Sequence, residues 1–240
     1  MVPLHMILIS RRLWLPLLAC LAACALTTPV ARAGTLPPNL AEALNAFRAD
    51  GPKGWTYTQI TESGNESLEE NFDPARPEPD HWILVARDGR KPTADEFKTY
   101  REGKSRRAGG ATAPRLQDQL DPESATLLRT EGDLVWWRFA MKPGAADDSS
   151  ALHLDVTFGF HLPTLAVASV EIASREAFSP MIGIRIAATR TVMTYSLPEA
   201  GRPTLLQKVT LRVQGRAFWI KSLDQNMTVT YTGHRAAGRN

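Results

Sequence analysis

The side chains that could take part in chemistry do not form a recognisable catalytic or metal-binding pattern. His153, Asp155 and His161 lie at even spacing in one alternating segment, so they would share one face of a strand. Histidine and carboxylate groups are good zinc ligands. Residues eight apart along a strand are, however, separated by roughly 26 Å. We therefore predict exposed polar groups here and no metal site.

An acidic segment contains Glu69, Glu70, Asp73, Glu78 and Asp80. Paired carboxylates can act as general acid and base, but the three prolines between residues 73 and 80 favour a solvated loop. The sequence also lacks the nucleophile, zinc-protease and phosphate-loop motifs of common enzymes. We therefore expect a non-enzymatic protein with no catalytic residues and no cofactor. The alternative is a hydrolase in which carboxylates or histidines, such as Asp155 or His153, converge in a pocket.

Aromatic side chains are more informative, because most of them lie in segments that alternate between apolar and polar residues. Trp136 and Trp137 are adjacent, so they must point to opposite faces of a strand. Rings in such positions either fill a core or line a cavity for an apolar ligand. We predict that seven of them line a hydrophobic ligand cavity, namely Trp55, Tyr57, Trp82, Trp137, Phe139, Phe158 and Phe160. The alternative is that they form only the core.

The elements that position these rings are mostly predicted strands. Alternation predicts strands at 55–60, 68–72, 81–86, 125–130, 134–141 and 152–160, and further strands near 165–173, 182–187, 190–196, 205–214, 217–222 and 227–231. Asn39 is a candidate N-cap for a short helix over 40–49. A capping box of Thr93 and Glu96 predicts a second helix that ends near Glu102.

Consecutive strands with short connections predict an antiparallel meander. The predicted fold class is mainly β (α+β), with a curved antiparallel sheet or unclosed β-barrel and one or two short helices packed on it. Residues 103–114 are polar, basic and rich in glycine and alanine, which predicts a mobile surface loop.

The first 33 residues predict an export signal. Arg11 and Arg12 precede an apolar run that is short for a bilayer span. A segment with small residues follows and ends at Ala33, so that cleavage would fall between Ala33 and Gly34. Residues 1–33 would then be a signal peptide and residues 34–240 a single β-rich domain. Alternatively, residues 21–24 resemble a bacterial lipobox, so that residues 1–23 are removed and Cys24 becomes an acylated N-terminus. Either route places the protein in the periplasm or at the outer membrane.

Charge and cysteine content support an exported domain. Both cysteines, Cys20 and Cys24, precede residue 34, and residues 34–240 hold 25 basic and 25 acidic residues. This balance gives no support for nucleic-acid binding. Residues 170–240 nevertheless hold 10 basic and 4 acidic residues. These charges are either ordinary exposed side chains or a surface for anionic lipid headgroups or an acidic partner.

Several segments together resemble a known family. A helix with Leu44 and Phe47 leads into WTYTQ at 55–59, and WILV at 82–85 is followed by DGRKPT at 88–93, a short helix and the meander. Segments FSP at 178–180 and GRAFWIK at 215–221 complete a layout that is similar to uncharacterised bacterial envelope proteins. The layout resembles the Lol-type lipoprotein carriers, LolA and LolB, and their relatives.

The resemblance covers most of residues 39–235. It implies an unclosed β-barrel with helices as a lid, which holds acyl chains. Residues 103–114 depart from these compact carriers, and no carrier motif matches here residue by residue, so the resemblance assigns no functional residues.

We therefore expect an exported envelope protein that binds a lipid, an acyl chain or a lipoprotein in a hydrophobic cavity of a curved β-sheet. An acylated Cys24 would add membrane association. The alternative is a structural or interaction protein of the envelope that has no small-molecule ligand and contacts an unknown protein partner.

Overall fold

A computed structural model describes residues 32–49, 53–77, 80–107, 114–143, 149–218 and 220–238. Within these residues, thirteen strands form one antiparallel sheet, and there are two α-helices. The helices are α1 (Pro38–Ala46) and α2 (Ala94–Arg107), with short 3₁₀ segments at Leu116–Gln119, Pro122–Ser124 and Ser149–His153. The strands are β1 (Arg32–Ala33), β2 (Trp55–Ser63), β3 (Glu66–Phe72), β4 (Trp82–Arg87), β5 (Thr126–Glu131), β6 (Leu134–Ala140), β7 (Leu154–His161), β8 (Ala166–Ser174), β9 (Phe178–Met181), β10 (Ile184–Tyr195), β11 (Leu206–Ala217), β12 (Lys221–Ser222) and β13 (Gln225–Ala236).

The strand order is β1-β5-β6-β7-β8-β10-β11-β13-β2-β3-β4, with β9 paired to β10 and β12 paired to β11. In the described part of the chain no pairing joins β4 to β1 or β5, so the sheet is not closed. The predicted fold class, an antiparallel sheet with short helices packed on it, is confirmed.

The sheet departs from a simple meander at its centre. Strand β2, near the start of the fold, pairs with β13, the last strand, along most of its length. The chain then runs through β3 and β4 to one edge of the sheet and returns to β5 through α2 and the first two 3₁₀ segments.

Helix α1 begins earlier than predicted. Pro37 is its N-cap residue and Pro38 its first residue, so Asn39 lies inside the helix instead of capping it. Proline suits this position because its backbone nitrogen has no hydrogen to leave unsatisfied. Phe47 adopts an extended backbone and ends the helix, while its N–H bonds to the carbonyls of Ala43 and Leu44.

Helix α2 begins at the predicted capping box. The Glu96 N–H donates to Thr93 Oγ1 at 3.3 Å, and the Thr93 N–H donates to Glu96 Oε2 at 2.8 Å. Arg90 adds two hydrogen bonds to the same carboxylate. The hydrogen bonding with Arg90 is the largest cause, and that with Thr93 the next, of the lowering of the pKa of Glu96 to about 2.

The end of α2 differs from the prediction. The helix continues to Arg107, so residues 103–107 of the predicted mobile loop are helical. Gly103 does not end the helix because Tyr100 and Lys104, on either side of it, are both held by a buried carboxylate of the sheet. The rest of that predicted loop, residues 108–113, lies outside the described residues.

Strand β10 is one continuous strand where two were predicted. The sequence around residues 187–189 has no large apolar residue. In the structure, the pairing of β10 with β11 is irregular between Ile186 and Ala188. A β-bulge of this kind lets a strand continue through a break in its alternation.

The predictions for residues 1–31 concern a segment that lies outside the described residues. Arg32 and Ala33 pair with Leu127 and Thr126 of β5, and the Gly34 N–H donates to the Ala125 carbonyl at 3.2 Å. Cleavage after Ala33 would therefore remove β1, whereas maturation at Cys24 would keep it.

Candidate functional site

Strand pairing gives the sheet two chemically different faces. Directly paired residues of antiparallel strands point to the same side, so the pairs can be followed across the sheet. One such row joins β7 to β3 through Phe158, Val170, Met193, Val209, Val229, Thr61 and Leu68. We call this side the helix face, because both α-helices contact it, and the other side the open face.

Helix α1 packs on the helix face through apolar side chains. Leu40, Leu44 and Phe47 are buried in the main hydrophobic cluster. The Phe47 ring meets Phe158 edge-on at 5.9 Å and Tyr195 at 5.2 Å between ring centroids. This end of the sheet is thus a well-packed core.

The seven predicted ligand-binding residues fall into two groups. Four of them, Trp137, Phe139, Phe158 and Phe160, are buried in the core cluster beneath α1. The adjacent Trp136 points to the open face, as predicted, where Arg129 stacks over its ring at 4.3 Å. The other three, Trp55, Tyr57 and Trp82, are half-buried and lie far from this core, on β2 and β4.

Tyr57 and Trp82 belong to a second aromatic cluster at the α2 end of the helix face. The Tyr57 ring lies 5.0 Å from Phe72, 5.9 Å from Trp82 and 5.5 Å from Tyr231, centroid to centroid. Offset and edge-on ring pairs at these distances stabilise one another. Trp55 lies two residues before Tyr57 on the same side of β2.

A buried carboxylate, Glu70, lies beside this cluster. It is only 3% exposed, although it was predicted in a solvated loop. Tyr100 Oη donates to its Oε1 at 2.7 Å, Lys104 Nζ lies 2.7 Å from the same oxygen, and Gln59 Nε2 donates to Oε2 at 2.9 Å. Glu70 can be buried, contrary to the prediction, because a carboxylate is tolerated in a protein interior when its charge is paired and its oxygens accept hydrogen bonds.

The surroundings of Glu70 keep its neighbours in defined protonation states. Burial, then the hydrogen bond to Glu70, raises the pKa of Tyr100 above its usual range. Burial, then the charge of Glu70, raises the pKa of Tyr231 as well. Both phenols therefore stay protonated, and Tyr100 remains a hydrogen-bond donor.

Helix α2 is attached to the sheet through polar contacts. None of its side chains from residue 94 to 105 is buried. Besides the Glu70 contacts, Arg101 forms an ion pair with Asp80 at 2.7 Å. Lys104 Nζ also lies 4.0 Å above the Trp82 ring. This attachment contrasts with the apolar packing of α1.

A cavity of about 460 Å³ lies between α2 and strands β2–β4, within the range of about 300–1,000 Å³ that is usual for ligand sites. Leu68 and Leu84 provide its aliphatic lining on the sheet side, beside Glu70, and Tyr100 and Lys104 line it on the helix side. Most of the other lining residues are polar.

Apolar side chains continue from this cavity along the helix face toward α1. Thr61 of β2 pairs with Leu68 on one side and with Val229 of β13 on the other. Met227, two residues before Val229 on β13, pairs with Leu211 of β11. Of these, Leu68, Leu211 and Met227 are half-buried. We call Leu68, Leu211, Met227 and Val229 the groove.

The polar residues near β7 do not come together as a metal site. His153 contacts Glu176 at 3.0 Å, His161 contacts Thr164 at 2.8 Å, and Asp155 faces Arg138 and Arg175. Burial raises the pKa of Asp155, and the two arginines partly oppose this shift. Among the described residues, no group of three potential ligands is close enough to hold a metal ion.

Comparisons with known proteins give little to set beside this geometry. No protein-family model and no curated protein matches the chain. A solved outer membrane lipoprotein-sorting protein domain from Vibrio parahaemolyticus is similar at a TM-score of 0.35 and 8% identity, over 82% of this chain and 90% of that one. GphF Dehydratase 1 is similar at a TM-score of 0.19 and 12% identity, over 83% and 82%. Both TM-scores are low, and neither structure informs the function of this chain.

None of the described helices has the length and apolar content needed to cross a bilayer.

Proposed function

We propose that this protein is an exported envelope protein that binds an acyl chain of a lipid or lipoprotein on the helix face, along the groove and in the cavity beneath α2. The observation that carries the proposal is the row of half-buried apolar side chains between the two helices, which continues into that cavity. An apolar chain laid along this row would remove apolar surface from water, at about 25 cal/mol per Å².

The attachment of α2 supports the same proposal. The cavity lies directly beneath α2, and this helix buries no side chain between residues 94 and 105. Elements with few buried apolar contacts open at a low free-energy cost. Helix α2 is therefore suited to cover a ligand, whereas α1 belongs to the permanent core.

The test is binding of a dansyl-labelled fatty acid, followed by fluorescence, to the wild type and two variants of adjacent residues in β11. Leu211→Glu places a charge in the groove, while Thr210→Glu places the same charge on the open face. We expect Leu211→Glu to weaken binding by about tenfold or more, because an unpaired charge is costly beside an apolar chain. Thr210→Glu should bind like the wild type.

Equal binding by the two variants, or no binding by the folded wild type, would refute the proposal. The second outcome would favour an envelope protein with no small-molecule ligand. That alternative is supported by the four predicted ligand-binding rings that lie in the core beneath α1.

A further inference from the structure

Four large apolar side chains project from one end of the sheet. Met181 and Ile182 lie at the turn between β9 and β10, and Phe218 and Ile220 between β11 and β12. Their exposed fractions are 62%, 99%, 68% and 90%, while no other large apolar residue in the described chain exceeds 44%. We call these four residues the apolar tip.

The two turns are joined to each other. Ile184 pairs with Ala217 at the ends of β10 and β11, and the Phe218 N–H donates to the Gly183 carbonyl at 2.6 Å. The Phe218 ring lies directly against Gly183, where an added Cβ would come within 2.6 Å of Phe218 Cε1. Gly183 also has a φ of +81°, which glycine adopts without strain. The tip is therefore one preformed projection.

Basic side chains lead to the tip along the open face. Lys208, Arg212 and Arg216 lie four residues apart on β11 and are exposed, and Arg185 pairs with Arg216. We call these four residues the basic stripe. Within the described chain none of them forms an ion pair. Two carboxylates lie nearby. Asp224 accepts the Gly215 N–H at 3.0 Å, and Glu171 forms an ion pair with Arg190, the residue paired with Arg212.

We propose that the apolar tip inserts into the headgroup region of an anionic lipid bilayer, with Arg185 and Arg216, the two residues of the basic stripe nearest the tip, held against the lipid phosphates. Exposed apolar side chains flanked by Lys and Arg are the residue types that bind such a surface. The charge of residues 34–240 is balanced, so the stripe is a local concentration of positive charge. A stable protein interface buries about 800 Å² on each partner, and four side chains on two narrow turns present less than this.

The test is sedimentation with vesicles, using protein purified from an exporting host and carrying Cys24→Ser, so that no acyl anchor contributes. Vesicles contain phosphatidylcholine alone, or phosphatidylcholine and phosphatidylglycerol in equal parts. The tip variant is Ile182→Asp with Ile220→Asp, and its matched control is Leu152→Asp with Leu162→Asp, two partly exposed leucines elsewhere. The stripe variant is Arg185→Gln with Arg216→Gln, and its control is Lys53→Gln with Lys91→Gln, two exposed lysines elsewhere.

We expect the wild type to bind the anionic vesicles and to be released by added salt. The tip variant should lose at least about tenfold in affinity, and the stripe variant about fivefold for each removed charge, while both controls bind normally. Circular dichroism should show the tip variant folded, because Ile182 and Ile220 are almost fully exposed, and it checks that the other variants are folded as well. Binding of the dansyl fatty acid should be unchanged in the tip variant, so this test is separate from that of the groove.

Three results would overturn the proposal. The wild type could fail to bind anionic vesicles, the tip variant could bind as its control does, or the stripe variant could match its own control. Failure to bind vesicles, together with a dimer in light scattering that Ile182→Asp abolishes, would show instead that the tip contacts a second copy of the chain.

Discussion

Glu70 joins α2 to the sheet, so neutralising it tests how that helix is held. In Glu70→Gln the side chain keeps its shape but loses its charge, and Lys104 is left beside a neutral amide. Removing one partner of a fully buried ion pair typically costs about 3–5 kcal/mol. The Lys104 side chain is 22% exposed, so water can solvate part of its charge. We therefore expect the free energy of unfolding to fall by about 2–3 kcal/mol.

The assay is urea unfolding, with hydrogen exchange to locate the change. The matched control is Glu69→Gln, one residue away on the open face, where Glu69 pairs with Ile60 and Ala86. We expect this control to change the free energy of unfolding by less than about 0.5 kcal/mol. Amides of α2 should exchange faster in Glu70→Gln, while those of β6 and β7 beneath α1 should be affected only through global unfolding.

Unfolding of Glu70→Gln and Glu69→Gln at the same urea concentration would refute this role of Glu70. Unchanged hydrogen exchange in α2 would also refute it, because the network would then not be what attaches the helix. Tyr100→Phe gives an independent check. It removes one hydrogen bond to a charged group and should cost about 1.5–3 kcal/mol.

Two further predictions concern pH and processing. The pKa of His234 is lowered below its usual 6.5, mainly by burial and to a smaller extent by the charge of Arg202. The stabilisation from neutral His234 is therefore present above about pH 6.5 and is lost as the pH falls through the lowered pKa. His234→Gln should therefore flatten the fall in unfolding free energy that urea titrations measure between neutral and mildly acidic pH, and an unchanged slope would contradict this. For processing, we expect the intact mass of the protein from an exporting host to correspond to Gly34 as the first residue. A mass that corresponds to acylated Cys24 would show the lipoprotein alternative to be correct and β1 to be retained.

Local patterns in the sequence were sufficient to predict most of the elements. Alternation between apolar and polar residues predicted the strand that became β7, and the spacing of Thr93 and Glu96 predicted the start of α2. These features depend on residues a few positions apart. The same is true of Trp136 and Trp137, whose opposite orientations follow from the geometry of a strand.

Long-range pairing could not be predicted in the same way. Nothing in the local sequence of β2 indicates that its partner is β13, because the pairing depends on the whole path of the sheet. Glu70 was misplaced for a related reason. Its burial depends on Tyr100 and Lys104, thirty or more residues away, whereas an isolated carboxylate is most often exposed. The alternation of Leu68, Glu70 and Phe72 was the available indication that Glu70 shares a face with two apolar residues.

The two proposals meet on strand β11. Leu211 belongs to the groove on the helix face, and the adjacent Arg212 belongs to the basic stripe on the open face. Leu211 lies six residues from Ala217, the last residue of β11 before the apolar tip, and six residues of strand span roughly 20 Å. The hydrocarbon core of a bilayer is about 30 Å thick, so one leaflet is shorter than this distance. If both proposals hold, an acyl chain leaving a bilayer at the tip would have to pass along β10 and β11 before it reached the groove. Substitutions between the tip and Leu211 should then slow lipid transfer without changing equilibrium affinity for the dansyl fatty acid, and a matching loss of affinity would refute that route.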